Sequence, residues 1–213
     1  MNLLREIQKQ IDAKKMLSHP FYRDWTEGKL SMAQLQNYAV QYKPFVDAFP
    51  RFVSGVHSNC VDRDDRRSLL QNLMDEEGLG DSPPHPILWQ NFIDGIEADR
   101  KKKVTPEALY FRDTFLDLCC NRSYEAGVSA LYAYESQMPD VSREKIEGIK
   151  KNWPGIPVHA LDFFVVHEKA DVSHAFEAEC LIDRIDDRKR DIAIDAAKSA
   201  SGAIWNFLSS VHK

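Results

Sequence analysis

His167-Glu-Lys-Ala-Asp171-Val-Ser-His174 decides how this chain is to be read. Positions i, i+4 and i+7 of an α-helix share one face, so this spacing sends His167, Asp171 and His174 out on the same side. Two imidazoles and a carboxylate that converge in this way make half of a site for a first-row transition metal. The same three residues also suit an exposed face that forms salt bridges. The stretch by itself leaves both readings open.

The segments around it keep the helical period. The stretch lies within a helix predicted over residues 158–185, which follows the break Trp153-Pro-Gly-Ile-Pro157. A closing helix over 188–211 carries Ile192, Ile194, Ala197, Ile204, Trp205 and Leu208 at apolar spacing. Upstream, helices are predicted over 105–120, 123–137 and 143–151. Thr105 caps the first of these with Pro106 in its opening turn, and Met138-Pro139 reads as the stop of the second. Helices over 64–76 and 85–97 flank a loop that begins at Gly78. Ser31-x-x-Gln34 is a capping box opening a long helix through Tyr38, Tyr42, Phe45 and Phe49 toward His57. Pro44 and Pro50 inside that helix are expected to kink it. The first helix covers residues 2–16, and Pro20 interrupts the pattern at His19. Strand alternation and hairpin turn pairs are absent. The chain therefore reads as one all-α domain over residues 1–213, of seven or more helices, with no repeat or linker dividing it.

The charge balance excludes some partners. Thirty-three acidic against 28 basic residues give a net charge of −5, which offers no electrostatic case for binding nucleic acid. The basic run Arg100 to Lys103 reads as a solvated loop. No apolar run reaches membrane length and no secretory signal opens the chain, so no membrane partner and a cytoplasmic location are expected. Cys60, Cys119, Cys120 and Cys180 form no C-x-x-C pair, which agrees with free thiols in that compartment. Trp205 and Phe207 on the closing helix serve either inward packing or a homodimer face.

Helical bundles build di-metal sites from inward-facing Glu and His on several helices. Besides His167, Asp171 and His174, this chain offers Glu76 at the end of its third helix, His85 just past the loop, and Glu135. Glu135 stands out because Gly127, Val128 and Ala130 to Tyr134 before it are mostly apolar. A carboxylate buried there is costly unless paired or metal-bound, whereas an exposed position on an amphipathic helix costs nothing. Three carboxylates and three histidines suit a pair of ions such as iron or manganese, and the thiolates that favour zinc are missing at useful spacing.

Several motifs in order carry a resemblance. Asn72-Leu-Met-Asp-Glu-Glu77, His85 four residues before Trp89, Leu131-Tyr-Ala-Tyr-Glu-Ser-Gln-Met-Pro139 and His167-Glu-x-Ala-Asp-Val-x-His-Ala175 resemble the family of the chlamydial protein associating with death domains. His19-Pro-Phe-Tyr-x-x-Trp25 and Tyr38 to Pro50 extend the likeness nearly end to end. That family belongs to the haem-oxygenase-like di-metal oxidases, helical bundles that bind two metal ions and activate dioxygen without haem.

The resemblance implies metal ligands at Glu76, His85, Glu135, His167, Asp171 and His174, with Glu76 preferred over its neighbour Glu77 and with Glu168 outside the set. It implies two divalent ions, iron alone or iron with manganese, and dioxygen and an external reductant as co-substrates; the electron donor is left unnamed. It also implies synthesis of para-aminobenzoate for folate from the protein's own tyrosine, matched by Tyr22, with a lysine matched by Lys145 as amino donor. Tyr38 and Tyr134 match further site tyrosines. One family tyrosine is replaced here by Phe163, which leaves no phenol at that position. From the residues alone, Tyr22 reads as a core tyrosine and Lys145 as a solvated charge. Two other classes share the scaffold or the family. One is a metal-free enzyme like pyrroloquinoline quinone synthase or the TenA thiaminases, and the other is a protein-interaction module.

Overall fold

The computed structural model describes residues 2–79 and 83–213, and among them it holds ten α-helices and no strand. The first half of the chain supplies α1 (Leu3–Asp12), α2 (Pro20–Glu27), α3 (Met32–Asn59), α4 (Arg63–Glu77) and α5 (His85–Gly95). The second half supplies α6 (Pro106–Leu116), α7 (Tyr124–Glu135), α8 (Met138–Asn152), α9 (Asp162–Ile182) and α10 (Arg190–Val211).

At the centre runs α7, in which every residue from Ala126 to Glu135 is buried. Its small residues let neighbours come close. At Gly127 an added Cβ would stand 2.6 Å from Val56 Cγ2 of α3. From the other side α10 packs on α7, its buried Ala193, Ala196, Ala197, Ala200 and Ala203 providing a thin face. Around this pair, α9 lies against both α7 and α8, and α3 against α4, α5 and α6. Phe207 of α10 points inward and stacks on Phe111, ring centroids 5.0 Å apart.

Two prolines, Pro20 and Pro139, behave differently from what their reading as breakers predicts. His19 takes the extended conformation expected before proline (φ −70°, ψ 140°), and its Nδ1 accepts the Phe21 N–H at 3.0 Å. It thus caps α2, with Pro20 in the first turn, where a missing N–H costs nothing. The same reason makes Pro139 part of the opening turn of α8, which begins at Met138 and not at Arg143. Pro44 and Pro50 both lie inside α3, which is assigned as one helix throughout. Elsewhere the first helix stops at Asp12, residues Asp117–Asn121 form a π-turn after α6, and a 3-10 turn over Val158–Leu161 precedes α9.

The placement of α2 on α8 matters for the site. Trp25 is fully buried there, and its Nε1 donates to the Lys145 carbonyl at 3.3 Å. Gly148 makes the approach possible, because a Cβ on it would lie 2.6 Å from Trp25 Cδ1 and 2.7 Å from Nε1. A Gly148→Ala substitution gains about 1 kcal/mol of helix propensity. It also forces a buried indole to move, at a cost of about 1–3 kcal/mol. The expected outcome is a lower thermal midpoint by calorimetry; an unchanged or raised midpoint would show that Trp25 yields freely.

Candidate metal centre

Two trios of potential ligands face one another in the core. Ligand atoms of Glu76, His85 and His167 lie within 4.8 Å of one another, as do those of Glu135, Asp171 and His174. All six side chains are buried, none more than 4% exposed. Local sequence explains their placement. Gly78, in the left-handed region at φ +70°, ends α4 and leaves Glu76 on its last turn. His85 opens α5, while α9 projects His167, Asp171 and His174 from one face, as the spacing predicts.

In the first trio, His167 Nδ1 pairs with the Phe163 carbonyl at 2.7 Å. That bond makes Nδ1 the donor and leaves the Nε2 lone pair free to face the site. His85 Nδ1 comes within 2.9 Å of Glu76 Oε2, yet the atoms lack the alignment of a hydrogen bond. This is the geometry of two groups aimed at a shared point. Burial is the largest influence and works to lower the His85 pKa, but Glu76 and Asp171 together outweigh it and the net direction is upward. Burial, with the His85 charge beside it, holds His167 well below the usual imidazole value.

The second trio is organised by hydrogen bonds. Asn72 Nδ2 donates to Glu135 Oε1 at 2.8 Å. His174 meets Asp171 Oδ1 through Nδ1 at 3.3 Å and Asp75 Oδ2 through Nε2 at 3.1 Å. Asp171 Oδ2 is buried with no partner. Burial raises the pKa of both Glu135 and Asp171. It also disfavours charge on His174, but the Asp171 bond and the Glu135 and Asp171 charges lift that group to about 10.

Beyond the trios lies an aromatic chamber. A cavity of about 10 Å3, the lower limit for one water, is lined by Phe45, Phe49 and Phe163 together with Glu76, His167 and Tyr134. The Tyr134 hydroxyl forms a hydrogen bond with that of Tyr42. Farther in, Lys145 is only 1% exposed, and its Nζ donates to the Tyr38 hydroxyl at 2.6 Å. Its amine stands 5.0 Å from the Tyr38 ring centroid, 5.6 Å from Tyr22 and 5.2 Å from Phe164. Burial raises the pKa of Tyr22, and the Tyr38 hydroxyl beside it offsets part of the rise.

The structure thus brings all ten sequence-predicted residues to one connected interior. Lys145 is buried, where its type alone predicts a solvated charge. Glu77 is exposed, and Glu168 turns outward to Arg143 at 3.2 Å. Tyr42, Asn72 and Asp75 lie within the stretches that carry the family resemblance but received no site role from the sequence, and each contacts a site residue.

Burial lowers the Lys145 pKa to about 7, and no carboxylate partner opposes the shift. Between that value and the ordinary lysine range, the unfolded chain holds a proton that the native chain lacks. This contribution to stability therefore rises with pH across the window, and the native penalty is largest at pH 7 and below. Replacing the amine by a thioether of similar length, Lys145→Met, should stabilise the fold at pH 7 by on the order of a few kcal/mol. Denaturant melts at pH 7 and pH 10 test this: the gain should shrink at the higher pH, and a destabilised variant at pH 7 would contradict it.

Known proteins place the chain. Residues 36–204 match a family described as iron-containing redox enzymes. A protein named 4-aminobenzoate synthase from Chlamydia muridarum is 38% identical, the match spanning 99% of this chain and 90% of that protein. One of the same name from Nitrosomonas europaea is 35% identical, across 98% and 90%. Among solved structures, a TenA homologue from Pseudomonas syringae superposes with a TM-score of 0.80 at 17% identity, covering 99% of this chain and 91% of that one. That likeness concerns the fold alone. On the strength of these matches, the chain belongs to the haem-oxygenase-like family of iron-containing redox enzymes.

Proposed function

We propose that this protein makes 4-aminobenzoate from its own Tyr22, with Lys145 giving the nitrogen and a pair of divalent ions, iron or iron with manganese, activating dioxygen. The observation that carries the reading is a buried amine held beside a buried phenol, in the same chamber as two ligand trios. The shared name of the relatives from Chlamydia and Nitrosomonas supports the product.

The donor set fits such ions. It combines three carboxylates with three imidazoles and contains no thiolate, a mixture that suits iron and manganese. Asp171 Oδ2 is an orphaned buried oxygen, and His85 Nδ1 lacks a hydrogen-bond partner, as expected of groups that bind a cation. Glu76, His85 and His167 would hold one ion, and Glu135, Asp171 and His174 the other. When bound, the pair supplies electrons, renewed by an external reductant, for the reduction of dioxygen.

The remaining work falls to the chain itself. Phe45, Phe49 and Phe163 keep water from the small cavity beside the trios. Burial keeps part of the Lys145 population neutral near pH 7, so Nζ carries a lone pair beside the Tyr22 ring. Tyr38 fixes the direction of that amine. The ring and Cβ of Tyr22 hold the carbons of 4-aminobenzoate, and the Lys145 nitrogen replaces the phenol oxygen. Cleavage of the Tyr22 side chain consumes the protein, so each chain turns over once. A metal-free enzyme on this scaffold leaves the six buried ligand groups without a purpose.

Anaerobic loading with Fe(II) and Mn(II), followed by desalting, should leave about two ions per chain. Near-zero metal in folded protein would overturn the di-metal assignment. Asp171→Ala should lose at least one of the two ions, and full occupancy in that variant would remove Asp171 from the ligands. Tyr22→Phe should keep its metal yet release no 4-aminobenzoate on exposure to oxygen, measured by chromatography; continued release would exclude Tyr22 as the source.

A further inference from the structure

We propose that Tyr42 is the relay through which an electron passes from the Tyr22, Tyr38 and Lys145 cluster to Tyr134 at the metal pocket, an inference that rests on the self-consuming di-metal reading above. Tyr42 lies inside the core at 4% exposure. Its ring stacks on Tyr38, with centroids 5.5 Å and planes 21° apart. Its hydroxyl is hydrogen-bonded to that of Tyr134. Tyr134 in turn lines the small cavity with Glu76 and His167. At the other end, Tyr38 joins Lys145 through its hydroxyl. Tyr42 is therefore the residue that makes these phenols one continuous series.

A second series of rings leaves the same cluster. Trp89 lies 5.9 Å from Tyr38 and 4.8 Å from Phe163, and Phe163 stacks on His167 at 4.0 Å. Phe163 interrupts it. A phenyl ring has no hydroxyl proton to release as it loses an electron, so its oxidation is far harder than that of a phenol. The route through Tyr42 and Tyr134 is the one in which every ring is a phenol.

The step balances within the chain and one co-reactant. Tyr22 loses one electron and its hydroxyl proton to become a neutral phenoxyl. With the amine neutral, the Tyr38 O–H rotates to donate to the Nζ lone pair; it gives its proton to Lys145, which becomes the ammonium, and takes up the proton from Tyr22. The electron crosses Tyr38, Tyr42 and Tyr134 to a one-electron oxidant derived from dioxygen, which is reduced by one equivalent. Tyr38, Tyr42 and Tyr134 end as they began.

The test compares wild type and Tyr42→Phe after metal loading and oxygen exposure, by freeze-quench electron paramagnetic resonance and intact mass. Tyr42→Phe should keep its metal content and still form a tyrosyl signal, while loss of mass at Tyr22 slows about tenfold or more, a barrier increase of roughly 1.4 kcal/mol or above. A second variant guards against misfolding: 3-aminotyrosine at position 42 keeps the shape and the hydroxyl but is oxidised more readily. It should trap the oxidation, giving an aminotyrosyl signal and intact Tyr22. Loss at Tyr22 at the wild-type rate in Tyr42→Phe, or in the aminotyrosine protein without that signal, overturns the relay. A wild-type protein that consumes oxygen with Tyr22 intact overturns instead the self-consuming reading from which the relay starts.

Discussion

Three carboxylates, three histidines and one lysine are held in the core of a helical bundle, where an unpaired charge is expensive. The rest of the structure follows from managing that cost. The carboxylates and histidines gather as two trios, in which each negative group has an imidazole beside it. Lys145 has no such partner and escapes the penalty by giving up its proton over part of the physiological range. Opposite solutions to one electrostatic problem thus separate the end of the chamber that holds the two trios from the end that bears the amine.

Aromatic residues join the two ends and keep water out. Tyr38, Tyr42, Phe45 and Phe49 recur along one side of α3, so a single helix supplies a wall that reaches from Lys145 to the small cavity beside Glu76. Phe45 lies flat against Phe111 at 4.0 Å, which fixes that wall from behind. The buried hydroxyls of Tyr42 and Tyr134 satisfy each other, so the chamber holds both phenols without leaving either hydroxyl unpaired.

Support around the two trios is as informative as the trios themselves. The Phe163 carbonyl sets the His167 tautomer, and Asn72 and Asp75 orient Glu135 and His174 from α4. Because α4 supplies Glu76 as well, its packing on α3 and α9 ties both trios to one rigid element. The close approach of α2 to α8 at Gly148 does the same for Tyr22 and Lys145, whose separation depends on how those helices meet.

The sequence by itself determined the all-α class, the approximate helix order and the shared face of His167, Asp171 and His174, because helical period and capping are local properties. It also marked Glu76, His85 and Glu135, through residue type and family resemblance. Prolines were misread where they open helices, since the same residue ends one helix or starts another depending on a turn that sequence does not fix. Only the tertiary structure decided that Lys145 is buried, that Tyr42 meets Tyr134, and that Asn72 and Asp75 reach the trios. Each of these depends on the distance and rotation between helices far apart in the chain, which side-chain packing sets and no spacing along one helix encodes.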